Sequence, residues 1–224
     1  HGRGYVNDGD LIASEWIAGK FRQFGLKPVK QDFFEPFQFN VNCFPDSVRA
    51  RIDGLSLVPG AEFILDPESG SASGEYVLVH VHPADFQGPE RRSMTMGVLT
   101  GKAACVHWPS TTNADSTRMF KQWERELMDH CPVVKPVKKL TWGVATDARV
   151  HPLVEVVEGA VTDSSSRIIL RVRNELRSRR TARNVLGMVK GKSKKWMVIG
   201  AHYDHLGRMG PDALFPGAND NASG

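Results

Sequence analysis

Residues 195–204 limit what this chain can fold into more than any other stretch. Residues 195–201 form a short apolar run with β-branched members, set off by a Lys/Ser/Gly turn, the pattern of a buried strand. Positions i and i+2 of an extended chain point to one side, so His202 and Asp204 present an imidazole and a carboxylate together where that strand stops. Open α/β sheets hold ligands at such strand ends. The pair suits a metal ligand and the acid that orients it. Sixteen residues after Asp204 comes Asp220, between Asn219 and Asn221 and ahead of Ala-Ser-Gly, a polar cluster able to open a helix. One carboxylate there can give an oxygen to each of two cations, which in two-metal sites lie roughly 3.5–4 Å apart.

A His-x-Asp pair by itself is more often structural than metal-binding, and the complete constellation is more specific. Gly200-Ala-His-Tyr-Asp-His-Leu-Gly207, followed by Pro216-Gly-Ala-Asn-Asp-Asn-Ala-Ser-Gly224, resembles the two-zinc aminopeptidase family. That family contains secreted bacterial leucine aminopeptidases, glutamate carboxypeptidase II and the catalytically silent transferrin receptor. The resemblance implies that His202 is a ligand of one zinc, that Asp220 bridges both zincs, and that Asp204, counted among the catalytic residues, is the carboxylate beside His202 that orients it. It also implies a non-proline cis bond after Asp220. The family's other parts are an adjacent Glu-Glu pair, a further acidic ligand and a final His, and none of them occurs in this sequence. The chain therefore reads as an N-terminal fragment with only part of the ligand set for two Zn2+, and it is expected to be inactive alone.

At 41% hydrophobic residues the composition is that of a globular core, which excludes disorder. No run of about 18 apolar residues is present, so no membrane span is expected, and no signal peptide is visible. The net charge of +4 is modest, and seven arginines between positions 167 and 183 supply most of the excess. A nucleic-acid partner is the weaker reading of them. Ile168, Leu170 and Val172 alternate with charged positions as in a strand with one exposed face, and residues 177–183 read as a solvated connection. Cys43, Cys105 and Cys131 lack Cys-x-x-Cys spacing, which leaves three buried thiols or one disulfide and a free thiol.

Along the chain, a glycine-rich lead over residues 1–9 opens a helix over residues 10–24. Ala13, Ile17, Phe21 and Phe24, with Leu11 and Trp16 beside them, give it an apolar stripe directed at a sheet. Gly25 and Pro28 end it. His1 has no supporting context as a ligand. Gly2-Arg3, this helix and Gly25-Leu-Lys-Pro28 extend the resemblance to the front of the chain. Strands are expected over residues 29–39 and 46–52. From about residue 55 the character changes to a mixed, mostly β unit. It has strands over residues 75–82, 101–108, 138–142, 153–157 and 167–172, and a helix over residues 115–130 with Met119, Phe120, Trp123 and Leu127 on one face. His80 and His82 share a strand face and can chelate, but no third ligand lies within reach of the pattern, so a structural role is favoured. His107, His130 and His151 stand isolated. Residues 183–191 and 195–201 then read as a β-hairpin that delivers His202.

The order of elements in residues 55–175 resembles the protease-associated domain that several family members carry as an insert. The expected fold class is thus α/β: a truncated zinc-exopeptidase mixed sheet with a flanking helix, plus an inserted mostly-β protease-associated-like domain. Residues 1–54 and 176–224 would belong to the peptidase domain and residues 55–175 to the insert, whose position at the active-site mouth would govern substrate access. The resemblance implies an exopeptidase acting on peptide substrates, an aminopeptidase first. Carboxypeptidase action on acidic dipeptides, glutaminyl cyclisation and a silent receptor-like scaffold are the rivals. Retention of His202, Asp204 and Asp220 speaks against the scaffold, and secreted or periplasmic relatives tilt the expected location that way.

Overall fold

A computed structural model describes residues 2–193 and 195–217. In chain order these form α1 (Gly9–Gln23), β1 (Lys27–Pro28), β2 (Phe34–Cys43), β3 (Arg49–Ile52), β4 (Leu55–Ser56), β5 (Phe63–Leu65), β6 (Ala72–Val81), a 3-10 turn (Pro83–Phe86) and α2 (Pro89–Leu99). There follow β7 (Ala103–Val106), α3 (Ala114–Met128), β8 (Val133–Val137), β9 (Leu153–Val157), β10 (Arg167–Val172), β11 (Glu175–Val185), β12 (Gly187–Met188), β13 (Gly207–Met209) and β14 (Ala213–Phe215). The chain is an α/β protein with two compact units. One comprises His1–Val41, Arg177–Arg208 and Leu214–Gly224, and the other Asn42–Leu176 with Met209–Ala213. The division falls inside β2 and β11.

The second unit is built on an eight-stranded sheet in the order β4-β3-β10-β6-β7-β8-β9-β5. Strands β6, β7, β8 and β9 run parallel, with β10 and β5 antiparallel at the two sides of that block. Parallel neighbours need a crossover, and α2 and α3 supply it between β6 and β7 and between β7 and β8. Helix α3 starts on Asn113, whose side-chain oxygen accepts from the amides of Asp115 and Ser116 at 2.9 and 3.0 Å. Its apolar face brings Phe120, Trp123, Leu127 and Met128 into one buried cluster with Phe86, Leu99, Val106 and Val133. Met119, expected on that face, is 39% exposed. Strand β10 buries alternate residues Ile168, Leu170 and Val172, as the sequence alternation predicts. No strand forms over residues 138–142. The strand lies five residues earlier, where Val133 and Val134 can enter the core, while Lys138 and Lys139 remain exposed. All three cysteines are free thiols and buried.

In the first unit α1 ends as expected, with Gly25 at φ +78° just past its last turn. Its buried face is not the apolar stripe. Asp10, Ser14 and Ala18 are buried, whereas Phe24 and Trp16 are exposed. Polar pairing explains the rotation. Asp10 meets Arg180 of β11 at 2.6 and 2.7 Å, and Ser14 Oγ accepts from Arg183 Nε at 2.9 Å. Residues 177–183 are accordingly part of a strand, not a solvated connection, and the Arg180 side chain is only 8% exposed. Strand β11 pairs with β2, and Arg183 also lies 4.0 Å from the Phe34 ring centroid.

Among the described residues, the expected hairpin ahead of His202 is absent. Strand β12 pairs instead with β1, Lys27 opposite Met188. Residues 195–200 are irregular, and Val198 and Ile199 are about nine-tenths exposed, at 88% and 90%. A β-branched run becomes a strand when a neighbouring strand accepts its hydrogen bonds and a packed face covers its side chains. Among the described residues, neither is present for this run.

Candidate metal centre

His202 and Asp204 lie in the irregular segment between that run and β13, and the N-terminal lead holds the segment in place. The backbone amide of His205 donates to Arg3 O at 3.0 Å. Two glycines make this approach possible. A Cβ on Gly4 would lie 2.6 Å from Gly207 Cα, and Gly207 itself sits at φ +71°, which favours glycine. The Arg177 guanidinium donates to the carbonyls of Tyr5 and Val6 at 3.0 and 3.2 Å, securing the same lead from β11. Tyr203, between the two candidate residues, donates its hydroxyl to Arg183 O, so its ring anchors the segment to β11.

The structure brings His202 and Asp204 together. His202 Nδ1 is 3.1 Å from the Asp204 backbone oxygen and 3.5 Å from its Oδ1. A carbonyl oxygen only accepts, so Nδ1 carries the proton and the lone pair of the neutral ring is on Nε2. Both side chains are about half exposed, at 52% and 43%, so a cation can reach them. Metal-binding histidines commonly have one ring nitrogen held by an acceptor in this way. Asp220 lies outside the described residues, as does the peptide bond that follows it, and its role stands as an expectation.

Tyr5 is a component that no sequence pattern singles out. Its hydroxyl donates to Asp204 Oδ2. Burial, followed by the hydrogen bond and negative charge of Asp204, raises the phenol well above its usual pKa of 10, so it remains a donor throughout the neutral range. The Arg180 guanidinium lies 5.0 Å from the Tyr5 ring centroid, and Phe39 packs edge-on at 5.2 Å. The Asp204 carboxylate is thus steadied by a tyrosine that is itself clamped by the Asp10–Arg180 pair. No short-range pattern connects Tyr5 with Asp204, because 199 positions separate them.

His205 has a structural engagement. Its Nδ1–H donates to Phe215 O at 3.1 Å, and its ring covers Gly217 so closely that a Cβ there would lie 2.1 Å from it. A cleft of about 480 Å3 beside α1 is lined by Ile12, Ala13, Trp16 and Leu214, and neither His202 nor Asp204 lines it.

Residues 184–224 match the model of peptidase family M28. The resemblance carried by Gly200–Gly207 and Pro216–Gly224 is thereby shown for this stretch. Among solved structures, the chain is similar to an aminopeptidase from Aneurinibacillus sp. strain AM-1, with TM-score 0.51 and 17% identity over 87% of this chain and 46% of that one. It is also similar to a peptidase M28 precursor from Shewanella amazonensis, with TM-score 0.57 and 17% identity over 85% of this chain and 48% of that one. A zinc aminopeptidase from Bacillus subtilis gives TM-score 0.49 and 16% identity over 87% and 44% of the two chains. The chain thus spans about half the length of the solved structures it matches. No curated protein sequence matches it. The α/β fold is shared with the first two. Among the described residues, no helix is long and apolar enough to cross a membrane.

Proposed function

We propose that the chain contributes part of the metal centre of a zinc-dependent exopeptidase, an aminopeptidase that removes N-terminal residues from peptides. The observation that carries this reading is the His202–Asp204 geometry inside the stretch matching peptidase family M28. His202 Nδ1 is held 3.1 Å from the Asp204 backbone oxygen, and a carboxylate steadied by Tyr5 stands beside it. His202 Nε2 would hold one zinc, and Asp220 would supply the carboxylate shared with a second. Zinc in such a centre polarises a scissile carbonyl and makes water a nucleophile near neutral pH.

The chain's own residues orient and tune rather than perform the proton transfers. Asp204 stabilises the Nδ1-protonated form of His202, and Tyr5 limits the rotation of Asp204. A general base and further ligands are needed for turnover, so residues 1–224 alone are proposed to be inactive. The second unit, read as a protease-associated insert, would shape access of peptides to the centre.

The test is hydrolysis of amino-acid amides by the longer protein that carries the rest of the ligand set. His202→Ala and Asp220→Ala should each abolish turnover, while release of N-terminal residues by the unsubstituted protein establishes the exopeptidase direction. A folded longer protein that binds zinc yet cleaves only from the carboxyl end of acidic dipeptides would replace the aminopeptidase reading with its carboxypeptidase rival.

A further inference from the structure

A second group of metal-ligating side chains lies in the other unit, on the eight-stranded sheet. Strands β6 and β7 run parallel with His80 opposite Cys105. The two-residue period of a strand then puts His82 above His80 and His107 above Cys105 on one face. Val81, Ala104 and Val106 point the other way, into the cluster under α3. Nitrogen atoms of His80 and His107 and the sulfur of Cys105 all lie within 4.8 Å of one another. His-x-His stands without a third ligand in the sequence pattern, because Cys105-x-His107 sits a full crossover away and only strand pairing aligns the two motifs.

The hydrogen bonds point the donors inward. His80 Nε2 is 2.8 Å from the backbone oxygen of Ser165, a buried residue, so that nitrogen carries the proton and the Nδ1 lone pair faces the cluster. Fixing the outer nitrogen of a ligating imidazole on a backbone carbonyl is how metal sites commonly set ring orientation. Nδ1 lies 2.7 Å from His107 Nε2. A tetrahedral ion bound at about 2.0–2.1 Å holds two nitrogens roughly 3.3–3.4 Å apart, so a small opening of the two half-buried rings admits one. His82 stacks on His107 with ring centroids 4.9 Å apart, next to the remaining coordination position.

We propose that His80, Cys105 and His107 form a transition-metal site, separate from the peptidase centre, that takes one zinc-class divalent ion. One thiolate and two imidazoles form a borderline-soft donor set, which suits zinc or cobalt and not magnesium or calcium. Binding forms one metal–sulfur and two metal–nitrogen bonds. The Cys105 thiol proton leaves to solvent, the His107 Nε2 proton that is donated to His80 Nδ1 before binding moves to His107 Nδ1 by exchange with solvent, and no oxidant or reductant is required. The ion would tie the carboxyl ends of β6 and β7 together.

Cobalt(II) titration of residues 1–224 tests this directly, since a thiolate ligand gives a near-ultraviolet charge-transfer band that a His/Asp site cannot. The band should saturate at one equivalent, persist in His202→Ala, vanish in Cys105→Ser, and be bleached by zinc. Because Cys105 is buried and its substitution can unfold the unit, His80→Ala and His107→Ala carry the decision. They leave the core thiol in place and should weaken cobalt binding at least tenfold while keeping the far-ultraviolet circular dichroism. Absence of the band in the unsubstituted chain, its survival in a folded Cys105→Ser chain, or unchanged affinity in both histidine variants would overturn the site.

Discussion

At the scale of single residues, the Tyr5–Asp204–His202 series divides into a part visible in the sequence and a part that is not. His-x-Asp is readable because the two residues are two positions apart and their chemistry is distinctive. Tyr5 is not, because an aromatic residue in a glycine-rich lead has no pattern connecting it to an acid near the other end of the chain. Its contribution can be measured. Tyr5→Phe removes the hydroxyl donor to Asp204 and keeps the ring against Phe39 and Arg180. Water can replace the donor at a half-exposed carboxylate, so the expected cost is about 1 kcal/mol in urea unfolding, with the circular dichroism unchanged. In the longer protein, Asp204→Ala should lower zinc affinity or turnover by about 10–100-fold, the range typical when the group orienting a metal ligand is lost. A Tyr5→Phe chain as stable as the unsubstituted one would show that the hydroxyl does not steady Asp204.

At the scale of elements, periodicity finds a helix or strand more reliably than it finds the buried face. Strand β10 falls where alternation puts it, since Ile168, Leu170 and Val172 are its buried residues. Helix α1 is also where its stripe and Gly25 place it, yet it buries Asp10 and Ser14. A hydrophobicity pattern cannot anticipate that, because a buried acid looks exposed until its arginine, 170 positions away, is known. Asp10→Ala should therefore cost roughly 3 kcal/mol in urea unfolding, since it removes the nearer partner of a guanidinium that is almost wholly buried. Ala13→Ser, on a less buried part of the same helix, should cost well under half as much. Residues 195–201 fail for the opposite reason. Their composition is that of a strand, but composition does not specify a partner, and strand structure depends on one.

At the scale of the whole molecule, each unit carries one group of candidate metal ligands, and each group depends on packing that its own unit supplies. The second unit also has a built-in acid sensitivity. Burial would raise the Glu68 carboxyl, but hydrogen bonds and charge from Arg125 and then Arg149 outweigh it and hold the group below its usual pKa of 4.5. A carboxyl depressed on folding contributes stability that is fully present above the unfolded value and is lost as pH falls through the folded one. The stability difference between the unsubstituted chain and Glu68→Gln, present at neutral pH, should therefore shrink as pH falls below about 4.5 in urea unfolding. The boundaries between the two units include one inside β2 and one inside β11. The measurement that bears most directly on the central claim is an anomalous difference map at the zinc edge from crystals of the longer protein. The account predicts peaks within coordination distance of His202 Nε2 and Asp220, with the Asp204 carboxylate behind the His202 ring. A well-ordered map with no peak beside His202 would contradict it.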